Sequence, residues 1–313
     1  MEQDLQFSAE IGEMFARCRK RIEAFPEQLR GQGLSYLYRS NPLVSEEGGK
    51  NRICYLLPFW MEDQCGLGME TCREMAAGNI FLMLYYFIQD DIMDTADPSA
   101  GGKLPIANLY HGEFLRFYSQ LFPVDSPFWE FYRTYVAEWA VSVSREGLDD
   151  TFIGDPLRIA GKSAPLKLCS TGALLLAGQD SQIPRVSALL ESALAALQMA
   201  DDWADWESDL ADGSYNSLLD LLRSHRGVAS DAVLTQEEMR DFLYVEDGLN
   251  LYSLIAVKLV EETDYSGLEL PCLKAFHESI VNNLRQGAIE IESAKRQLEQ
   301  GGLHYWLSRS PSL

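Results

Sequence analysis

Two long segments of the chain, residues 68–95 and 183–210, carry hydrophobic side chains at helical spacing and end in runs of aspartate. Apolar residues that recur every three to four positions predict helices that pack against other helices. The same period dominates the rest of the sequence, and a Leu- and Ala-rich composition with few β-branched runs also favours helix over strand. The sequence therefore predicts an all-α fold.

Breaks in this pattern divide the chain into helical segments. Pro26 ends the first segment, the stretch TADPSAGG reads as a loop, and Asp212-Gly213 forms a helix C-terminal signal. The further predicted helices are 5–24, 27–39, 53–60 with a bend or start near Pro58, 104–121, 127–146, 151–179 with an interruption at Pro165, 214–224, 234–262 and 270–300. Because we find no repeat, low-complexity tract or interdomain linker, we expect residues 1–313 to form a single domain.

Charge and cysteine usage exclude several classes of protein. The chain holds 47 acidic and 26 basic residues, for a net charge of −21. A strongly acidic surface is a poor partner for DNA, RNA and anionic lipid, because their phosphates bind clustered Lys and Arg. The six cysteines and four histidines show neither zinc-site spacing nor a disulfide framework. The acidic N-terminus is no signal peptide, and the longest apolar runs are shorter than a membrane span. We expect a cytoplasmic protein without nucleic-acid partners or stable membrane insertion.

The first acidic cluster, DDIMD, lies at the C-terminal end of an apolar helix and contains Asp90, Asp91 and Asp94. Positions four apart share a helix face, so Asp90 and Asp94 can point to one spot. Carboxylates at a helix C-terminus oppose the helix dipole, and their placement there costs stability unless a cation compensates. Clustered hard oxygen ligands suit Mg²⁺, an ion that is commonly shared with substrate phosphates.

The second acidic cluster, QMADDWADWESD, is denser. Asp201, Asp205 and Asp209 follow an i, i+4, i+8 spacing and form a stripe on one helix face, flanked by Asp202 and Glu207. One acidic helix end in so acidic a protein is often only a solvated surface. Two such ends, each closing a strongly apolar helix, favour a metal site instead.

These residues resemble the motifs of a known family. Asp90-Asp91-x-x-Asp94 resembles the first DDxxD motif of class I isoprenoid synthases, and the run from Gln198 to Asp205 resembles the QxxDDxxD second motif of trans-polyprenyl diphosphate synthases. Two further elements occur in the family's order, since Gly48-Gly49-Lys50 resembles the start of GGKxxRP and Lys162-Ser163 resembles the KT motif. The likeness runs from about residue 45 to about residue 220 and does not extend into the last hundred residues.

The resemblance implies a helical bundle around a central apolar cavity, with the two acidic motifs facing each other across its mouth. It also implies that three Mg²⁺ ions clamp the diphosphate of a prenyl substrate. The implied metal ligands are Asp90, Asp91, Asp94, Asp201, Asp202, Asp205 and Asp209. The expected catalytic residues are Asp90, Asp91, Asp94, Asp201 and Asp205. The expected diphosphate-binding residues are Lys50, Arg52, Arg158, Lys162 and Gln198. Tyr85, Tyr86, Phe87, Trp203 and Trp206 either line the cavity or pack in the core.

The departures from the elongating enzymes concern the second substrate. Their Arg-Arg-Gly after the first motif is absent, the arginine of GGKxxR falls on Ile53, and a histidine of the isopentenyl diphosphate site is replaced by Met83. Asp201, Asp205 and Asp209 instead occupy the ligand positions of the terpene cyclase motif. Arg158 lies near the position of the cyclases' diphosphate sensor without matching it, and their C-terminal Arg-Tyr pair is missing.

We therefore predict a class I terpene synthase that ionises farnesyl or geranylgeranyl diphosphate with Mg²⁺ to give a cyclic or linear terpene. Two alternatives stay open: a prenyltransferase that condenses an allylic diphosphate with isopentenyl diphosphate or another acceptor, and a catalytically silent subunit that regulates a partner synthase. Bulky Tyr85 and Tyr86 favour a C15 over a C20 substrate by analogy. The product skeleton and the oligomeric state, including a homodimer, stay open.

Overall fold

The computed structural model describes residues 2–45, 51–94, 98–146 and 152–299. Within these ranges the chain is helical and contains no strand, which confirms the all-α prediction. The α-helices are α1 (Glu2–Ile22), α2 (Glu27–Arg39), α3 (Arg52–Trp60), α4 (Glu62–Cys65), α5 (Met69–Asp94), α6 (Leu104–Leu121), α7 (Phe128–Ser144), α8 (Lys167–Leu176), α9 (Ile183–Asp212), α10 (Ser217–Arg226), α11 (Gln236–Tyr244), α12 (Gly248–Glu261) and α13 (Pro271–Glu299). None of these helices has both the length and the apolar composition that crossing a bilayer requires.

The two helices that carry the aspartates end close to where the sequence predicts. Helix α5 ends at Asp94, and α9 ends at Asp212, where Gly213 follows with a φ of 73°. A left-handed residue directly after a helix is a common C-terminal cap, and glycine adopts that conformation without strain. The boundary of α9 was therefore readable from the Asp212-Gly213 pair.

Two predicted stretches differ from the structure in helix type. Pro98–Lys103, expected to be loop, is a short 3₁₀-helix, and Pro156–Leu166, expected to be α-helical, is a longer one. The predicted interruption near Pro165 is correct, since α8 begins at Lys167. Proline lacks an N–H donor and disfavours α geometry in the residue before it, which is consistent with a change of helix type at this point.

The single helix expected over 234–262 is wrong, because two helices occupy this stretch. Helix α11 ends at Tyr244, and α12 begins at Gly248 after Asp247, which has a φ of 58°. A Cβ at Gly248 would lie 2.6 Å from Phe242 Cε1, so the close return of the chain requires glycine. The Asp-Gly pair is a known turn signal that the helical periodicity on either side concealed.

The helices group into two compact units. Unit 1 comprises Met1–Tyr135, Pro165–Ser187 and Leu268–Pro271, and in it α5 packs against α1, α3 and α6. Residues Ile53–Trp60 of α3 are all buried, so this short helix belongs wholly to the core of the unit. Arg21 of α1 donates two hydrogen bonds, of 2.7 and 2.8 Å, to the carboxylate of Glu113 on α6.

Unit 2 comprises Val136–Ala164, Ala188–Gly267 and Cys272–Leu313, so it contains most of α9 together with α10 to α12. Ser192 Oγ on α9 donates to the Leu259 carbonyl of α12 at 3.1 Å. Helix α13 contacts α9 at Gly287, where a Cβ would lie 2.7 Å from Trp203 Cζ2. The aspartate-bearing end of α9 is therefore held within this unit by packing as well as by polar contacts.

Candidate functional site

The first acidic cluster lies on the surface of unit 1 at the end of α5. Asp90 and Asp91 are exposed, while Asp94 is the last helical residue and its side chain lies outside the described part of the chain. The Nζ atom of Lys103 is 2.9 Å from Asp91 Oδ2, and the Tyr36 hydroxyl donates to the same oxygen at 3.4 Å. The hydrogen bond to Asp91 raises the pKa of Lys103. A cation of the chain thus already neutralises part of this cluster.

The second acidic cluster lies in unit 2 along the last turns of α9. Asp201 and Asp209 are half-buried and Asp205 is exposed, so the three members of the predicted stripe share one side of the helix near the surface. Burial raises the pKa of Asp209, and the negative charges of Asp202 and Asp205 act in the same direction. The negative charges of Asp202 and Asp205 therefore disfavour the ionised form of Asp209, and a nearby cation would oppose that effect.

Asp202 differs from its neighbours because its side chain is 5% exposed. Its Oδ1 accepts a hydrogen bond from Gln198 Nε2 at 2.8 Å, and its Oδ2 accepts from the backbone N–H and the hydroxyl of Ser217. Burial raises the pKa of Asp202 in spite of these donors. The Ser217 hydroxyl is also 2.6 Å from the Tyr252 hydroxyl, which extends the network to α12.

Asn216 is a residue of this network that the sequence analysis missed. It is fully buried, and its Oδ1 caps α10 by accepting from the N–H groups of Leu218 and Leu219. Its Nδ2 donates to the Asp202 carbonyl at 2.7 Å and to Asp209 Oδ2 at 2.8 Å. Asn directly before the apolar run SLLDLL is a recognisable N-cap, but its reach back to α9 is a tertiary contact that periodicity does not show.

A pocket in unit 2 brings together predicted site residues from separate segments. Arg158 and Lys162 come from the 3₁₀-helix, and Gln198 and Asp202 come from α9. The pocket is a cleft that is partly open to solvent. Its other lining residues are Ser142, Arg145, Glu146, Phe152, Asp155, Ile159 and Tyr215.

The cations of this pocket are set among carboxylates. Lys162 forms an ion pair with Glu146, and both side chains are largely buried. Arg145 also lines the pocket, although the sequence analysis did not single it out. No sequence signal marked Arg145, because it directly follows the end of α7 and belongs to no recognised motif. Arginine and lysine side chains can bind phosphate or carboxylate oxygens as charged donors.

The two other predicted diphosphate-binding residues, Lys50 and Arg52, have different outcomes. Lys50 falls outside the described residues, and Arg52 is the half-buried first residue of α3 in unit 1. Within the described ranges, no three His, Cys, Asp or Glu side chains converge closely enough to form a metal cage by themselves. Mg²⁺ is commonly bound by one or two carboxylates completed by substrate phosphates and water, so the stripe on α9 still fits this ion by the chemistry of its donors.

The predicted aromatic liners divide between the core and partly exposed positions. Trp206 is 8% exposed, whereas Trp203 is half-buried and packs on Gly287. In unit 1 the side chains of Tyr85, Tyr86 and Phe87 are all half-buried. Core packing therefore accounts for Trp206, while the other four rings keep part of their surface accessible.

Comparison with known proteins adds no family to this description. No protein-family model matches the chain, and no curated protein shows significant sequence similarity to it. The case for a function therefore depends on the residues themselves.

Proposed function

We propose that this protein is a Mg²⁺-dependent class I terpene synthase of the isoprenoid synthase fold, which ionises a prenyl diphosphate to give a terpene hydrocarbon or alcohol. The observation that carries the proposal is the pocket in unit 2, where Arg158, Lys162 and Gln198 lie beside the acidic end of α9. Arg158 and Lys162 lie on one 3₁₀-helix and Gln198 lies on α9, so two separate segments bring cationic side chains next to an acidic helix end.

The use of a single substrate is supported by Met83. In the elongating enzymes that the sequence resembles, a histidine at this position belongs to the second-substrate site. The Met83 side chain is 5% exposed and carries no charge, so it offers nothing to a second diphosphate. The absence of Arg-Arg-Gly after the first motif points the same way.

The proposal assigns two sets of Mg²⁺ ligands, namely Asp90, Asp91 and Asp94 in unit 1 and the stripe formed by Asp201, Asp205 and Asp209 in unit 2. Bound Mg²⁺ would neutralise the diphosphate and make it a good leaving group from the allylic carbon. Lys162 and Arg158 bind the phosphate oxygens directly as charged donors. Asp202 accepts hydrogen bonds from Gln198 and Ser217. In this proposal it holds the end of α9 in place and does not bind the metal.

The proposal is tested by incubating the purified protein with Mg²⁺ and C10, C15 or C20 prenyl diphosphates, with and without isopentenyl diphosphate. We expect release of diphosphate and a terpene from a single substrate. Asp90→Asn and Asp201→Asn should each lower turnover by roughly a hundredfold or more, because each removes charge stabilisation of the leaving group. Circular dichroism should show unchanged helicity.

Glu207→Gln is the matched control. Glu207 lies on the same helix as the stripe, is exposed, and pairs with Arg240 at 3.0 Å, so the variant removes one negative charge without touching the site. Its turnover should stay near that of the unaltered protein. Longer diphosphates formed only with isopentenyl diphosphate would establish the prenyltransferase alternative instead. No turnover, together with a changed activity of a partner synthase, would establish the regulatory alternative.

A further inference from the structure

A histidine in unit 1 is held in a well-defined orientation by aromatic neighbours. His111 on α6 places Nε2 2.7 Å from the hydroxyl of Tyr132 on α7. The Tyr85 ring of α5 stacks on the imidazole with the centroids 4.8 Å apart and the planes at 24°. Phe114 stacks on the imidazole as well, at 6.3 Å. Three helices therefore fix the position and the plane of this ring.

The three polar rings are half-buried rather than sealed in the core, so part of the surface of His111, Tyr132 and Tyr85 stays accessible. Tyr86 adjoins Tyr85 with the ring centroids 5.0 Å apart. Because Tyr86 and Asp90 are four residues apart on α5, they share a helix face. The aromatic cluster thus lies about one helical turn from the aspartates that the proposed function assigns to Mg²⁺.

The hydrogen bond to Tyr132 engages Nε2 of the imidazole and leaves Nδ1 for other chemistry. A neutral imidazole has one N–H donor and one nitrogen lone pair. When Nε2–H donates to the Tyr132 oxygen, the lone pair resides on Nδ1, and Nδ1 can accept a proton. The resulting imidazolium keeps its hydrogen bond to the phenol oxygen, which stabilises the positive charge. Of the two neutral tautomers, the one that donates from Nε2–H to Tyr132 therefore leaves Nδ1 as the basic nitrogen.

We propose that His111, positioned by Tyr132, is the base that ends the reaction by removing a proton from the prenyl carbocation. This assignment rests on the proposed function. A C–H bond next to the cationic carbon breaks, and its electron pair forms the C=C bond of the product. The proton goes to Nδ1 of His111 and from there to solvent. The charge on carbon is thus exchanged for a charge on the imidazolium, and no other reagent is required.

The surroundings of His111 suit this role. Burial lowers the pKa of His111 below its usual value, which keeps the ring neutral and able to accept a proton at neutral pH. Burial raises the pKa of Tyr132 and of Tyr85, so both phenols stay protonated. The electron-rich faces of Tyr85 and Tyr86 can attract a neighbouring carbocation.

The tautomer is tested first, because it needs no substrate. In ¹⁵N-histidine-labelled protein at neutral pH, we expect His111 to carry its proton on Nε2, with the resonance assigned by its loss in His111→Phe. A ring that instead carries its proton on Nδ1 would have its lone pair on Nε2, where it accepts from the Tyr132 hydroxyl, and this result would overturn the assignment, whatever the protein catalyses.

Product analysis is the second test. His111→Phe keeps an aromatic ring for stacking but removes both nitrogens, and His111→Gln serves if the first variant fails to fold. We expect diphosphate release within about threefold of the unaltered protein, together with a tenfold or larger fall in the ratio of olefin to water-quenched alcohol. Tyr132→Phe should lower the ratio of olefin to alcohol by a smaller factor than His111→Phe does. It should also make that ratio depend on pH, because Tyr132 only positions the base. His225→Phe, which removes a histidine of unit 2 that pairs with Glu246, is the control and should leave the ratio unchanged.

The two proposals fail in different ways. If the unaltered protein releases no diphosphate from any prenyl diphosphate, the proposed function is wrong. If it releases diphosphate and the ratio is the same in both His111 variants, or if its own product is solely an alcohol, the role of His111 as the terminal base is wrong.

Discussion

The two aspartate motifs look alike in the sequence but are supported in different ways. At the end of α5, Asp91 is exposed and is neutralised by Lys103 across the surface. At the end of α9, Asp202 is buried and anchored by Gln198 and Ser217. An exposed ion pair contributes little to stability and rearranges easily, whereas a buried, fully bonded carboxylate fixes its helix. The second motif is thus pre-organised by the fold, and the first is adjustable.

The largest expected effect is a difference in the free energy of unfolding between two variants that each replace one aspartate, one in each motif. Asp202→Ala leaves the buried N–H of Ser217 without its acceptor and removes the hydrogen bond from the half-buried Gln198, so we expect it to lower the free energy of unfolding by about 2–3 kcal/mol. Asp91→Ala removes only surface contacts and should change it by less than about 1 kcal/mol. Urea denaturation of both variants measures this. Equal losses would mean that the two motifs are supported alike.

Asn216 both caps α10 and donates a hydrogen bond to Asp209, and its replacement tests the two contributions separately. Asn216→Ala removes the cap of α10, so we expect a loss of about 1–2 kcal/mol in the free energy of unfolding. It also removes the donor to Asp209, and we expect Mg²⁺ affinity, measured by calorimetry in the presence of inorganic diphosphate, to fall about tenfold.

Thr235→Ala is the matched control for Asn216. Thr235 caps α11 through a capping box, in which its hydroxyl pairs with Glu238 rather than with an aspartate of the stripe. Thr235→Ala should lower the free energy of unfolding by a similar amount and leave the Mg²⁺ affinity unchanged. If both variants weaken Mg²⁺ binding equally, Asn216 acts only through general stability.

The smallest effect is expected at Lys103. Its ammonium group occupies Asp91 Oδ2, so Lys103→Met should tighten Mg²⁺ binding at the first motif by roughly two- to fivefold, the equivalent of an exposed ion pair of about 0.5–1 kcal/mol. Titration with Mg²⁺ and inorganic diphosphate at low and at high salt measures it. The gain should shrink at high salt, because exposed pairs are screened. Weaker binding would show that Lys103 helps to bind the diphosphate.

Helix positions were largely predictable, because long apolar stripes with helical spacing leave few alternatives. The failures came where a local signal was weaker than the flanking periodicity. Asp247-Gly248 breaks the expected helix over 234–262, and Pro156–Leu166 adopts 3₁₀ rather than α geometry. Both errors concern short-range backbone geometry, to which hydrophobic spacing is insensitive.

The candidate site was predictable only in part. Arg158, Lys162 and Gln198 were selected from motifs, and they line one pocket of unit 2. Arg145 in the same pocket and the pairing of His111 with Tyr132 carried no usable signal. Asn216 was recognisable as an N-cap, but its contacts with Asp202 and Asp209 depend on how the chain folds back after α9. The placement of Lys50 stays a prediction.

By itself, the sequence determined the all-α class, the ends of α5 and α9, and the concentration of carboxylates at those ends. These properties follow from local periodicity, caps and residue type, each of which acts within a few positions along the chain. The tertiary structure alone decided which aspartate is buried and which is exposed. That distinction arises from packing, since Ser217 and Asn216 reach Asp202 only when the chain after α9 folds back against it.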